Sequence, residues 1–279
     1  MNVKFIDTFD EIDNYRKKHS EFSLETWKQY ADNISPTLYN KCFSNASEYN
    51  FEKNVIPVVS DAIYNSFYKI TSAHEALVLL SGSLNKRINV IFKVDFDVDV
   101  IFYLGLCNGA GWATELDGQT VVLLGAEKIA ELNWYDPDTL CDLVCHELAH
   151  HIHFELRKKI PKPENSAVWQ LYTEGFATRY SQVLYKEDFY CQNQNGWLDF
   201  CKSHISDIKH EYLSRIKANE KISDFFGDWN TYMGYSDLGY YLGSEFIRWL
   251  QEKRTDEEVA CMLPDELQSN LIMFLGVTQ

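Results

Sequence analysis

The chain has 279 residues, of which 46% are hydrophobic and 15% aromatic, so it can bury a sizeable core and does not have the composition of a disordered protein. Acidic residues outnumber basic ones by 41 to 26, and such a negative surface disfavours binding to nucleic acid or to an anionic membrane. No apolar run approaches the roughly 18 residues that cross a bilayer, and the first residues lack the apolar core of a signal peptide. The 7 cysteines are odd in number and scattered, which is not the pattern of a disulfide framework. We therefore expect a reduced, cytoplasmic protein without a nucleic-acid or membrane partner.

The first part of the chain has a helical pattern. Apolar residues recur at helical spacing from Phe5 onward, separated by short polar breaks. The pattern changes at Ser81-Gly82-Ser83. We therefore predict an N-terminal helical segment over residues 1–83 and a second region over residues 84–279.

The second region begins with β-like runs and continues as helices. Residues 88–94, 98–104 and 120–124 are rich in β-branched residues and have glycines between them, which predicts a small sheet. After residue 136 the helical pattern returns. One helix is expected from there to the basic turn before Pro161, and a second from Asn165-Ser166 to about Leu184.

The first of these helices carries His146-Glu147-Leu148-Ala149-His150, an H-E-x-x-H motif. Four residues advance an α-helix by about 400°, so the imidazoles of His146 and His150 lie on one face, one turn apart. Two ring nitrogens placed in this way can bind one zinc ion. The side chain of Glu147 projects about 100° away from that of His146 and can take a proton from metal-bound water. The motif therefore predicts a catalytic zinc site with Glu147 as general base.

A catalytic zinc site needs a third protein ligand and an open position. The second helix offers Glu174, a carboxylate in a stretch that is otherwise apolar or small. Its neighbour Gly175 costs a helix interior about 1 kcal/mol relative to alanine, and a close approach of the two helices would explain it. We therefore predict that His146, His150 and Glu174 bind one Zn²⁺ ion; the alternative for Glu174 is a solvated helix residue.

Other histidines and cysteines near the motif are weaker ligand candidates. His153 lies on the same helix face as His146 but about 10 Å further along the axis, too far to share a tetrahedral ion. His151 points sideways, so we expect a core or supporting role for it. Cys141 and Cys145 are interpreted as small buried apolar residues, because no second pair with finger-like spacing follows them.

The ordered set of motifs resembles the gluzincin metallopeptidases and, more closely, a bacterial family of predicted zinc-dependent proteases, the domain-of-unknown-function 2268 group. One departure is Thr178, since thermolysin-like members carry an aspartate at this position, four residues after the glutamate ligand, that orients a ligating histidine. The resemblance covers roughly residues 88–266 and rests on five segments: Gly111-Trp112-Ala113 at the end of a glycine-rich stretch, the strand over 120–124, the H-E-x-x-H helix, Glu174-Gly175-x-Ala177 and Gly239-Tyr240-Tyr241-Leu242-Gly243.

This resemblance implies an α+β, zincin-like fold. A small twisted mixed sheet would lie over the active-site helix, with a mainly helical C-terminal lobe and the helical N-terminal segment packed on the sheet or covering the cleft. It gives His146, His150 and Glu174 the role of zinc ligands and Glu147 that of general base. The strand over residues 120–124 would be the edge strand along which a peptide substrate aligns.

The predicted function is hydrolysis of peptide bonds in a peptide or protein substrate. Zinc would lower the pKa of its bound water toward about 7, and Glu147 would take the proton and pass it to the leaving amine. Tyr240 is the first candidate for stabilising the oxyanion, because it lies in the Gly-Tyr-x-x-Gly segment. Tyr241 and then Tyr235 are the next candidates, and an ordinary core tyrosine is the alternative.

Three other interpretations stay open at this point. A zincin body could act as a binding or regulatory protein with little or no proteolytic activity. The zinc site could instead hydrolyse the amide of a small non-peptide molecule, or the H-E-x-x-H sequence could be a coincidence. The sequence sets neither the oligomeric state nor the substrate preference.

Overall fold

The computed structural model describes residues 2–88, 94–227 and 230–276. Backbone contacts group the chain into two compact units, Met1–Glu147 and Leu148–Gln279. The first unit is mixed α+β, and the regular elements described in the second are helices, so the α+β class expected from the sequence is confirmed. The boundary predicted at residue 83, between the N-terminal segment and the second region, lies at a change of composition. It stays a prediction.

The first unit contains a mixed sheet. Its strands within the described residues are β1 (Asn2–Asp7), β2 (Asp97–Tyr103), β3 (Gly111–Leu116) and β4 (Gln119–Gly125). They lie in the order β1-β2-β4-β3. β1, β2 and β4 run parallel, whereas β3 is antiparallel to β4 and forms one edge of the sheet. Asp117 and Gly118, between β3 and β4, both have a positive φ, as a type I′ hairpin turn requires.

Two predictions about these strands are wrong. Residues 2–7 form β1 rather than part of a helix: Val3 is buried while Asn2 and Lys4 are exposed, the alternation of a strand, and β1 pairs with β2. The strand over residues 120–124 is β4, which lies inside the sheet between β2 and β3. The edge next to it is β3.

Helices precede and follow the strands of the first unit. The helix α5 continues through Ser81-Gly82-Ser83, so the change of composition there does not end a helix, and the run over 88–94 lies mostly outside the described residues. Within the described residues the helices are α1 (Phe9–Lys18), α2 (Leu24–Ile34), α3 (Leu38–Asn45), α4 (Ile56–Ser60), α5 (Phe67–Ile88), α6 (Ala126–Leu132) and α7 (Pro137–Leu156), with a 3₁₀ turn at Ala46–Glu48 and π-helical turns at Phe51–Val55 and Asp61–Asn65.

The second unit begins inside α7, at Leu148. Its further helices within the described residues are α8 (Ser166–Leu184), α9 (Trp197–Ser203), α10 (Ile205–Ala218), α11 (Leu238–Gln251), α12 (Asp256–Ala260) and α13 (Pro264–Gly276). The predicted bounds of α8 are confirmed. Asn165 caps it by accepting hydrogen bonds from the N–H groups of Ala167 at 3.0 Å and Val168 at 3.2 Å. In the part of the chain that the structure describes, no helix combines the length and the hydropathy needed to cross a membrane.

Candidate metal centre

The cap and the buried face of α7 determine which way the side chains of the H-E-x-x-H motif point. Asp136 caps its first turn, accepting hydrogen bonds from the N–H groups of Asp138 at 3.1 Å and Thr139 at 3.0 Å. One side of α7 carries an apolar stripe of residues with no exposed surface: Leu140, Val144, Leu148 and Ile152. Full burial of one such side chain contributes about 1.5–3 kcal/mol, so the stripe fixes the rotation of the helix about its axis.

Three side chains from two helices come together. His146 and His150 lie on α7, Glu174 lies on α8, and one ligand atom of each lies within 4.8 Å of those of the other two. All three residues are half-buried. Among the described residues, no other group of three or more His, Cys, Asp or Glu side chains is close enough to hold a metal ion. The structure thus brings together the three side chains that the sequence singles out as ligands.

The spacing inside this group fits a shared ion better than a hydrogen bond. Nε2 of His150 and Oε2 of Glu174 are 3.4 Å apart, longer than the roughly 2.9 Å of an ordinary N–H···O bond. Zinc binds these atoms at about 2.0–2.2 Å, so two ligands at the tetrahedral angle lie about 3.4 Å apart. Two imidazole nitrogens and one carboxylate oxygen are also a donor set that catalytic zinc sites use. The three side chains could therefore hold a metal ion, and their donor atoms are of the kind that zinc binds.

Glu147 is held by the edge strand. Its Oε2 accepts a hydrogen bond of 2.8 Å from the N–H of Ala113 on β3, and the residue is buried. A Cβ atom at Gly111 would lie 2.5 Å from Oε1 of Glu147, so only glycine leaves room for this carboxylate. Sequence reasoning missed both contacts, although the Gly111-Trp112-Ala113 segment that contains them is prominent in the sequence.

Glu174 is held by contact between two helix backbones. A Cβ atom on Gly175 would lie 2.4 Å from the carbonyl carbon and oxygen of Gly243 on α11. The expected close approach therefore exists, but the partner of α8 at this glycine is α11 and not α7, so that part of the prediction is wrong. The contact between Gly175 and Gly243 also explains why both of these motifs contain glycine, because the two glycines pack against each other.

The three candidate tyrosines differ in their surroundings. Tyr240 lies in the first turn of α11, half-buried, with its ring 5.5 Å from that of Phe226. Tyr241 is buried against Tyr190, and burial raises its pKa, as in a core tyrosine. Tyr235 stacks on Phe200 with ring centroids 4.2 Å apart. A role for Tyr240 in stabilising an oxyanion stays a prediction.

The remaining histidines and cysteines lie outside the group. His153 is fully buried, stacks on Phe176 with centroids 4.4 Å apart, and its pKa is held well below the usual value by burial and by Arg157. It is therefore a neutral core residue. His151 is buried as well, and Cys141 and Cys145 are buried free thiols.

Thr178 occupies the place of the thermolysin-like aspartate. It is buried, and its Oγ1 has no hydrogen-bond partner among the residues that the structure describes. The centre therefore differs from the thermolysin-like pattern in its surroundings while keeping the three candidate ligands.

Comparison with family models, with curated proteins and with solved structures found no match to this chain. The resemblance to gluzincins thus depends on the motifs themselves.

Proposed function

We propose that this chain is a zinc-dependent peptidase of zincin-like fold, with His146, His150 and Glu174 as ligands of one Zn²⁺ ion and Glu147 as general base. The observation that carries the proposal is the 3.4 Å separation of Nε2 of His150 and Oε2 of Glu174. It is supported by the hydrogen bond from the N–H of Ala113 that orients the carboxylate of Glu147. Zinc bound to these ligands would activate a water molecule and polarise a substrate carbonyl.

Glu147 has one oxygen that is fixed and one that can carry the proton. Oε2 accepts the N–H of Ala113, which orients the carboxylate. Oε1 lies where a side chain at residue 111 would stand, and the glycine there leaves room for it. In the proposed reaction Oε1 takes the proton from the attacking water and gives it to the leaving amine.

The edge strand β3 is the proposed binding strand for the substrate. It pairs with β4 on one side, and its Ala113 N–H points to the other side, toward Glu147. Main-chain groups of alternate residues in an antiparallel strand point the same way, so residues 111, 113 and 115 present theirs to that free side. An extended peptide can add to such an edge through main-chain hydrogen bonds. Tyr240 is the proposed donor to the oxyanion.

The proposal includes the partners and the compartment. The proposed partner is a peptide or protein that adds to β3, and the net charge of −15 disfavours nucleic acid as a partner. All 7 cysteines are free thiols, which supports a reducing compartment and hence the cytoplasm.

The test is cleavage of an unfolded protein such as casein, and of a mixed-peptide library, by the zinc-loaded chain. We expect about one zinc per chain and measurable cleavage. Glu147→Gln should keep the zinc while lowering turnover at least 1000-fold, since the proton acceptor is lost. His146→Ala should lose both zinc and cleavage.

Each other outcome points to a different conclusion. Zinc binding without cleavage of any peptide would favour a binding protein, and cleavage of small amides alone would favour an amidohydrolase. Near-normal turnover in Glu147→Gln would exclude the proposed mechanism. Absence of bound zinc would leave the H-E-x-x-H sequence a coincidence.

A further inference from the structure

Glu127 is a buried acid that the proposed reaction does not use. It is the second residue of α6, directly after β4, and has no exposed surface. Its Oε2 accepts a hydrogen bond of 2.6 Å from the N–H of Gly105, and its Oε1 accepts one of 3.0 Å from the N–H of Cys107. Both donors belong to residues 104–110, which connect β2 to β3. These main-chain bonds offset the cost of burying the carboxylate.

This connection is shaped around the carboxylate. A Cβ atom on Gly105 would lie 2.5 Å from Oε1 of Glu127, and one on Gly125 would lie 3.2 Å from it. Cys107 has a φ of 59°, in the left-handed region that side chains other than those of Gly, Asn and Asp rarely adopt. Its N–H is one of the two that Glu127 accepts, so the acid holds the strained residue directly.

The thiol and the hydroxyl near Glu127 stay neutral, while the ammonium of Lys128 attracts its carboxylate. Burial raises the pKa of the Cys42 thiol to about 12 and holds the pKa of the Tyr103 hydroxyl well above its usual value. Lys128 donates a hydrogen bond of 2.5 Å to Glu131. Burial also raises the pKa of Glu127 itself to about 7. Each of its two carboxylate oxygens accepts a hydrogen bond from the main chain, from Gly105 and from Cys107.

The same connection leads to the proposed general base. The carbonyl of Ala110 accepts a hydrogen bond of 3.0 Å from the N–H of Gly125, which ties the end of the turn to β4. Gly111 and Ala113 follow at once, and both lie against the carboxylate of Glu147. A shift of the turn would therefore move the donor that orients the Glu147 carboxylate.

We propose that Glu127 is a positioning residue: by accepting the N–H groups of Gly105 and Cys107, it fixes β3 and, through Ala113, the carboxylate of Glu147. Its effect on catalysis rests on the proposed peptidase function. Its effect on β3 does not, so the two can be tested apart.

The experiment compares Glu127→Ala, Glu127→Gln and the control Glu75→Gln, which changes an exposed acid on α5. Amide hydrogen exchange is measured over residues 104–113, together with zinc content and with kcat and KM for peptide cleavage. For Glu127→Ala we expect at least tenfold faster exchange over 104–113, unchanged zinc content, and kcat lowered at least tenfold with a smaller change in KM. Glu127→Gln keeps one acceptor oxygen and should recover part of both losses, while the control should match the wild type.

Exchange over 104–113 as slow as in the wild type would overturn the proposal, and so would faster exchange that spreads evenly over the whole chain. Normal kcat despite local loosening would also overturn it. If Glu127→Ala does not fold, Glu127→Gln decides by the same criteria. If the wild type cleaves no peptide, the peptidase function fails, and exchange at Ala113 alone decides whether Glu127 fixes β3.

Discussion

Glu147 in the first unit and Glu174 in the second are held in different ways. The carboxylate of Glu147 is oriented by one hydrogen bond from a strand and by the space that Gly111 leaves. Glu174 is carried by a helix whose backbone touches another backbone at Gly175 and Gly243. A side chain can rotate away from an obstacle, whereas a helix backbone has to move as a whole.

The difference matches what each glutamate is proposed to do. A metal ligand must keep its distance to the ion within a few tenths of an ångström, and rigid helix packing provides that. A general base has to take and release a proton, and a carboxylate fixed by a hydrogen bond worth about 1.5–3 kcal/mol can still adjust. Perturbing the two regions should therefore have different consequences for metal binding and for turnover.

The largest effect is expected for Gly175→Ala. The new methyl group would meet the carbonyl of Gly243 at 2.4 Å, and because both are attached to helix backbones, neither can rotate away. We expect the free energy of unfolding to fall by about 3 kcal/mol or more and zinc affinity to fall at least tenfold, measured by urea unfolding and by competition with a chelator.

Gly82→Ala is the matched control, since Gly82 also lies within a helix but has nothing within 4 Å of its Cβ position. That variant should be more stable than the wild type by about 0.5–1 kcal/mol. Equal stability and zinc affinity of Gly175→Ala and the wild type would show that Glu174 is not held by this contact.

The next effect concerns pH and Glu127. Burial raises its pKa from 4.5 to about 7, so the folded state binds the proton more tightly than the unfolded state does. The stability due to this proton is fully present below pH 4.5 and is lost as the pH rises through about 7, an amount of about 3 kcal/mol. Glu127→Gln cannot titrate, so its free energy of unfolding should fall less between pH 4.5 and 8. Parallel curves for variant and wild type would contradict the assignment.

Much of the helical structure near the centre could be predicted from local signals. The Asn165 cap, the apolar stripe of α7 and the H-E-x-x-H spacing are each encoded by neighbouring residues. Glu174 could be proposed as well, because a carboxylate next to glycine in an apolar helix needs an explanation.

The contacts that join distant segments could not be predicted in this way. Strand β1 pairs with residues 95 positions away, and the edge position of β3 depends on the order of all strands. The partner of Gly175 is likewise set by tertiary packing. Glu127 gave no sequence signal, because a buried acid and a surface acid on a short helix have the same pattern.

The smallest effect on stability, and the sharpest test of the contrast, is expected for Gly111→Ala. The new methyl group would stand 2.5 Å from Oε1 and 2.6 Å from Cγ of Glu147, but both atoms belong to a side chain that can turn away. We therefore expect the free energy of unfolding to change by about 1 kcal/mol at most, with zinc affinity kept and kcat lowered at least tenfold. Because the loss acts through Glu147, Gly111→Ala should have no further effect on turnover in a Glu147→Gln background, as a double-mutant cycle would show. If the two substitutions lower turnover independently, so that their losses multiply, Gly111 affects turnover by another route. If Gly111→Ala loses zinc, β3 and the metal ligands are coupled, and the contrast between the two glutamates is wrong.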